Sequence, residues 1–186
     1  MKKKKIILSF ILLIFISIII SGCTDADKKD YETADGLYKT GDYKTAAEMF
    51  VELGDYKDSG EMANKSFYAY AGECFKKQDF DEAIKIYEAI GDYSDSLAKI
   101  KEIENEKIYV AAVKLMNNHE YDTAKDMFMI IREYKDSVEF INGILYDEAV
   151  MYMNESEYEK AVEIFSEISG YKDSDELFEL CNKYIK

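Results

Sequence analysis

The sequence is poor in residues that carry chemistry or cross-links: one His, three Cys, no Trp and no Pro in 186 residues. Three Cys are too few for a disulfide scaffold, and nine Gly are too few for a collagen-like chain. With a single His there is no metal-spaced Cys/His cluster, and no Gly-rich phosphate loop or nucleophile elbow occurs. Positive charge is also scarce, with 24 basic residues facing 38 acidic ones. Four of the basic residues are Lys2 to Lys5, so the chain beyond residue 22 sets 20 against 38, a net of −18. Such a polyanion, lacking a basic run outside its N-terminus, does not hold nucleic acid phosphates. Apolar residues are plentiful: 48% hydrophobic, with 16 Tyr and 10 Phe, is enough to bury the core of one domain.

Residues 1–22 are excluded from fold reasoning because they read as a targeting segment. A basic start is followed by the apolar run Ile6 to Ile20 and then by small residues. The ending Ile20-Ser21-Gly22-Cys23 resembles a bacterial lipobox. That resemblance implies that Cys23 is acylated with diacylglycerol and becomes the new N-terminus, anchoring the chain to the extracytoplasmic face of a cell membrane. The apolar run is short for a span of about 20 residues, which favours a cleaved signal over an uncleaved anchor. Residues 23–30 are polar and without periodicity, so they are expected to form a lipidated Cys and a short solvated tether. Asp25, Asp27 and Asp30 lack the turn Gly and distal Glu of a calcium loop.

Residues 31–186 contain four copies of one unit. An aromatic with Ala three residues later recurs as Tyr43/Ala46, Phe80/Ala83, Tyr121/Ala124 and Tyr158/Ala161. Downstream of each stands a Tyr-x-Asp-Ser block, at Tyr56–Ser59, Tyr93–Ser96, Tyr134–Ser137 and Tyr171–Ser174. Upstream of each stands another Tyr with Ala three residues on, at Tyr31, Tyr68, Tyr109 and Tyr146. The spacing between units is 37, 41 and 37 residues in every column. A fixed period of this length marks a helical repeat array. The second helix of each unit shows an i, i+4, i+7 stripe, for example Ala46, Phe50 and Leu53. Each Asp of the Tyr-x-Asp-Ser block is expected to cap the next helix. At Asp58, Asp136 and Asp173 a Glu three residues later completes a capping-box pattern, whereas Asp95 is followed by Ala98. The four extra residues of the third unit are expected to add one turn to its first helix. Residues 174–186 are expected to form a terminal helix covering the last repeat. The predicted fold is therefore all-α: an α-solenoid of four helix-turn-helix repeats plus a C-terminal capping helix.

Ala34, Tyr43, Ala46, Phe50 and their counterparts resemble the small–aromatic–Ala–aromatic pattern of tetratricopeptide repeats. The period is longer than usual for that family, and its proline after the second helix is absent. The chain thus resembles a longer-helix variant, like the Tyr-Lys-Asp-Ser repeats of bacterial surface and membrane proteins. The family implies a protein-binding role, with the first helices lining an inner surface. The carboxylate clamp of chaperone-binding members is not expected, because its positions hold Tyr31, Asp35, Tyr68, Gly72, Tyr109 and Val113.

No catalytic residue, metal site or cofactor is expected. His119 stands at a turn position filled by Gly41, Gln78 and Ser156 elsewhere. Cys74 and Cys181 are separated by two whole repeats and are expected to be buried free thiols, the alternative being an intermolecular bridge. The candidate partner surface is the column Tyr31, Tyr38, Tyr68, Phe75, Tyr109, Met116, Tyr146 and Met153, in which each pair lies two turns apart on one first helix. The same spacing describes an ordinary buried stripe. Its Tyr hydroxyls are the atoms expected at the surface. The expected function is that of a membrane-anchored, extracytoplasmic adaptor or assembly factor for an unknown protein or peptide. The alternative is an acidic surface lipoprotein that binds a small ligand or cation.

Overall fold

The computed structural model describes residues 25–185; the signal segment 1–22 and Cys23 lie outside the described residues. Among the described residues there are nine α-helices and no strand: α1 Asp25–Thr40, α2 Tyr43–Glu52, α3 Ser59–Lys76, α4 Phe80–Ile90, α5 Ser96–Asn117, α6 Tyr121–Ile130, α7 Ser137–Asn154, α8 Tyr158–Glu167 and α9 Ser174–Asn182. None of them is long and apolar enough to cross a membrane. The expected all-α repeat fold is present. The described residues group into two compact units, one ending at Leu97 and the other beginning at Ala98. Within the first, α1 packs on α2, α2 on α3 and α3 on α4; within the second, α6 packs on α7, α7 on α8 and α8 on α9.

The expected tether needs correction. Helix α1 begins at Asp25, so residues 25–30 are helical. Its first turn carries Asp25 and Asp27 at the end where negative charge suits the helix dipole, and Lys28 faces Glu32 at i,i+4. These local terms need no buried face, which is why hydrophobic periodicity gave no sign of them. The terminal helix is shorter than expected, ending at Asn182 with Lys183 as its cap residue.

The apolar stripes of the second helices form the cores. Ala46 and Phe50 are fully buried with Ala34 and Ala63 in the first unit. In the second unit Ala124 and Phe128 join Ala112, Ile131, Ile141 and Ile144, and Ala161 and Phe165 join Ala149, Ile168 and Cys181. Alanine at the helix crossings lets the backbones approach closely. The extra residues of the third unit do lengthen its first helix: α5 has 22 residues where α3 and α7 have 18. Ile103, within the added region, is fully buried.

Each hairpin closes through the same C-terminal motif. In the first, the Gly41 N–H donates to the Tyr38 carbonyl and the Asp42 N–H to the Leu37 carbonyl; Gln78/Asp79, His119/Glu120 and Ser156/Glu157 repeat the pattern. This is a Schellman arrangement, which needs a left-handed residue at its first turn position. Gly41 supplies it at φ 91°, but Gln78, His119 and Ser156 adopt φ of 62°, 65° and 64° with a Cβ present.

Candidate functional site

The Tyr-x-Asp-Ser blocks do not act as simple caps. Asp58, Asp136 and Asp173 stand at N-cap positions, yet none of their carboxylates bonds a helix N–H. Their backbones sit near φ −100° and ψ 23°, outside the extended geometry that turns a cap side chain toward the first helical turn. Instead each carboxylate accepts a hydrogen bond from the tyrosine 27 residues earlier: Tyr31 Oη to Asp58 at 2.5 Å, Tyr109 Oη to Asp136 at 2.5 Å and Tyr146 Oη to Asp173 at 2.6 Å. Tyr68 donates to Asp95 in the same way. Asp42 does form a side-chain cap bond, its Oδ1 accepting from the Thr45 N–H at 3.3 Å.

The rest of the block supports this link. Its residue before Asp adopts a left-handed φ, 50° at Lys57, 54° at Ser94, 49° at Lys135 and 48° at Lys172. That turn lays the Lys ammonium over the first-helix ring, 4.3 Å from Tyr31 for Lys57, 4.6 Å from Tyr109 for Lys135 and 4.3 Å from Tyr146 for Lys172. The buried serines Ser59, Ser96 and Ser137 donate their hydroxyls to the carbonyls of Tyr56, Tyr93 and Tyr134. Ser174 donates to the Ile168 carbonyl instead. The first-helix rings also stand edge-on to the buried aromatics of the second helices, Tyr31 to Phe50 at 5.4 Å and Tyr68 to Tyr87 at 5.3 Å.

All eight residues of the candidate column are half-buried. The hydroxyls of Tyr31, Tyr68, Tyr109 and Tyr146 do lie at the surface, but each is engaged by its aspartate. The phenols of Tyr31 and Tyr146 are pushed up to about 12, first by these hydrogen bonds and then by burial. Tyr109 is pushed to about 12 by burial first and by Asp136 second. Tyr38 lies against Tyr43, and Phe75 against Phe80. Met153 packs on the core around Ala161 and Phe165.

Met116 is the one column member on an open groove. This groove, within the second unit, has a volume of about 760 Å³ and runs along α7. Met116 and His119 border it from the end of α5, Tyr121 and Asp122 from the start of α6, and Tyr171 and Lys172 from the turn before α9. From α7 it takes Glu139, Phe140, Gly143, Ile144, Asp147, Glu148, Met151 and Tyr152. Glu139, Gly143, Asp147 and Met151 are spaced at i, i+4, i+8 and i+12, which is one helix face. The arrangement offers an apolar floor with a carboxylate rim, in the size range of sites that take a side chain or short peptide. Met151 is 47% exposed and Tyr121 46%, so large apolar side chains here face solvent.

His119 is an exposed turn residue as expected, with Nδ1 2.8 Å from Tyr121 Oη. Cys74 and Cys181 are free and buried, as expected, and burial pushes both thiols up. Among the described residues no group of three or more His, Cys, Asp or Glu is arranged to hold a metal ion.

Residues 69–96, from the middle of α3 through α4 to the first residue of α5, match the tetratricopeptide repeat family. The match spans one of the four repeats and contains its Ala71, Ala83 and Tyr87. No curated protein matches the chain. A tetratricopeptide repeat implies protein binding in general, and such repeats usually serve as non-enzymatic scaffolds.

Proposed function

We propose that this protein is a lipid-anchored adaptor on the extracytoplasmic face of a bacterial cell membrane, holding a partner protein close to the bilayer. The observation that carries the binding part is the open groove along α7, where exposed Met151 and half-buried Met116, Phe140 and Tyr152 stand beside the carboxylates of Asp122, Glu139, Asp147 and Glu148. Methionine adapts to irregular partners, and an apolar floor with a polar rim is the general anatomy of a protein interface. The anchoring part rests on Ile20-Ser21-Gly22-Cys23 and the basic, apolar run before it. Since α1 starts at Asp25, an acylated Cys23 would leave the repeats almost no spacer from the lipid headgroups. The test is a photo-crosslinking residue at Met151 in the full chain expressed in native membranes. Capture of a discrete protein, absent when the crosslinker stands at Glu163 on the exposed side of α8, is the expected result. No discrete adduct from the groove position would overturn the adaptor reading.

A further inference from the structure

One column of side chains is interrupted where the groove runs. Three residues before each repeat tyrosine the four first helices carry Lys28, Lys65, Glu106 and Gly143. Lys65 fills its place with a cation, its Nζ 5.0 Å from the Tyr38 ring. Glu106 fills its place by accepting the Tyr134 hydroxyl at 2.7 Å and the Lys135 ammonium at 2.5 Å. Gly143 has nothing to offer. Tyr171, the counterpart of Tyr134, has its hydroxyl 3.4 Å from where a Cβ of residue 143 would stand. The Tyr171 hydroxyl thus lies against bare helix backbone where the groove borders Gly143, with Met116 where Tyr38 lies in the first unit.

Four of the five Asp, Glu and Lys side chains that line the groove are acidic, Lys172 being the exception. Glu139 stands one turn before Gly143 and Asp147 one turn after, while Asp122 and Glu148 extend the rim. Glu148 is matched by Lys125 at 3.2 Å, and Lys172 rests on the rings of Tyr146 and Tyr171. Among the described residues Asp122 and Asp147 have no ion-pair partner, and Glu139 faces the Tyr171 phenol, which burial and this carboxylate push up. The chain's net charge of −18 beyond residue 22 adds a long-range field that draws in basic partners.

We propose that this groove docks a basic segment of the partner protein, seating an Arg or Lys side chain beside the Tyr171 hydroxyl and against the carboxylates of Glu139 and Asp147, with a neighbouring apolar side chain on Phe140, Ile144 and Met151. The proposal rests on the adaptor reading and names the chemistry of what is adapted. A long cationic side chain suits the place, since its methylene stem can lie on the apolar floor while its head meets both carboxylates. Lys65 shows the same fold holding a cation at the equivalent position from within.

The test is fluorescence anisotropy of the full chain in detergent with a labelled peptide, Gly-Arg-Leu-Gly-Arg-Leu-Gly, and with versions carrying Gln or Glu in place of Arg. The arginine peptide is expected to bind, the glutamine version about tenfold more weakly and the glutamate version more weakly still. Gly143→Lys, which supplies the cation internally, and the pair Glu139→Gln with Asp147→Asn are each expected to weaken the arginine peptide about tenfold. The pair Glu159→Gln with Glu163→Gln makes the same change in net charge away from the groove and should leave affinity within about twofold. Circular dichroism confirms that each variant is folded. No binding of the arginine peptide, equal binding of the glutamine peptide, or binding indifferent to Gly143→Lys overturns the proposal. If Gly143→Lys blocks a peptide that binds equally with Gln and Arg, the groove remains a docking site and only the cationic requirement falls. Failure of the crosslink at Met151 removes the adaptor reading instead.

Discussion

Tyr109 joins three elements through one side chain. Its ring meets Phe128 at 5.9 Å and Tyr134 at 6.2 Å, its hydroxyl reaches Asp136, and Lys135 lies over its face. The hydroxyl donates to a carboxylate at the surface, so about 1 kcal/mol is the bond's expected worth. Tyr109→Phe and Asp136→Ala should each destabilise by about that amount and the double variant by little more, because both remove the same bond. Additive losses in urea unfolding would show that the two residues act separately and that Asp136 works as a cap. The same bonds set an alkaline limit. The phenols of Tyr31, Tyr109 and Tyr146 are raised to about 12 in the folded chain, against about 10 for an unfolded tyrosine. The stability they contribute is fully present below the unfolded value and is lost as pH climbs toward the folded one. Loss of helix signal and growth of tyrosinate absorbance should therefore coincide between about pH 10 and 12. Titration of these three phenols near pH 10 with the helices intact, read as the difference in tyrosinate absorbance between the wild type and the Tyr31→Phe, Tyr109→Phe and Tyr146→Phe variants, would contradict the Tyr–Asp links.

The helices themselves were legible because their signals are periodic. The stripe Ala124, Phe128, Ile131 sits on one helix face in the sequence and in one core in the structure. The extra turn of α5 was legible too, since four residues are added between Asp95 and Tyr109 without disturbing either column. The Tyr–Asp bond was hidden, although its signal is present: the separation is 27 residues in all four units, across the end of one repeat and the start of the next. A carboxylate ahead of a helix reads locally as a cap, and only tertiary packing brings the phenol to it. The groove was hidden because its borders come from four separate segments, from Met116 to Lys172, that only tertiary packing brings together. The hairpin turns give a prediction at this scale. Gln78 holds φ at 62° where Gly41 performs the same task in the first hairpin. A Cβ in the left-handed region costs about 1 kcal/mol. Gln78→Gly should thus stabilise by roughly 0.5–1 kcal/mol, the gain being reduced by the freer unfolded chain. Gly41→Ala should destabilise by a similar amount in thermal melts.

For the molecule as a whole, charge and anchoring act together. A chain at −18 beyond residue 22 repels both itself and the anionic lipids of a bacterial membrane. No basic patch outside the N-terminus offsets this, so electrostatics cannot hold the repeats at a bilayer. On the proposed anchoring, attachment comes from hydrophobic burial at Cys23, where each buried methylene of an acyl chain contributes about 0.8 kcal/mol. Two or more chains on one cysteine give anchoring that salt does not reverse, whereas a single chain gives only marginal binding. The prediction is specific to that source of affinity. Wild-type protein should stay in the membrane fraction through a wash at high salt and leave only with detergent. Cys23→Ser should abolish incorporation of a labelled fatty acid, and the chain should either remain as an uncleaved precursor or appear in the soluble fraction. Its repeats should still show the same helix content and the same melting temperature, because α1 begins after Cys23 and the cores at Ala34 and beyond do not involve it. Unchanged acylation in Cys23→Ser, or release of the wild type by salt alone, would remove the lipid anchor and leave the repeats as a binding module with another means of reaching their partner.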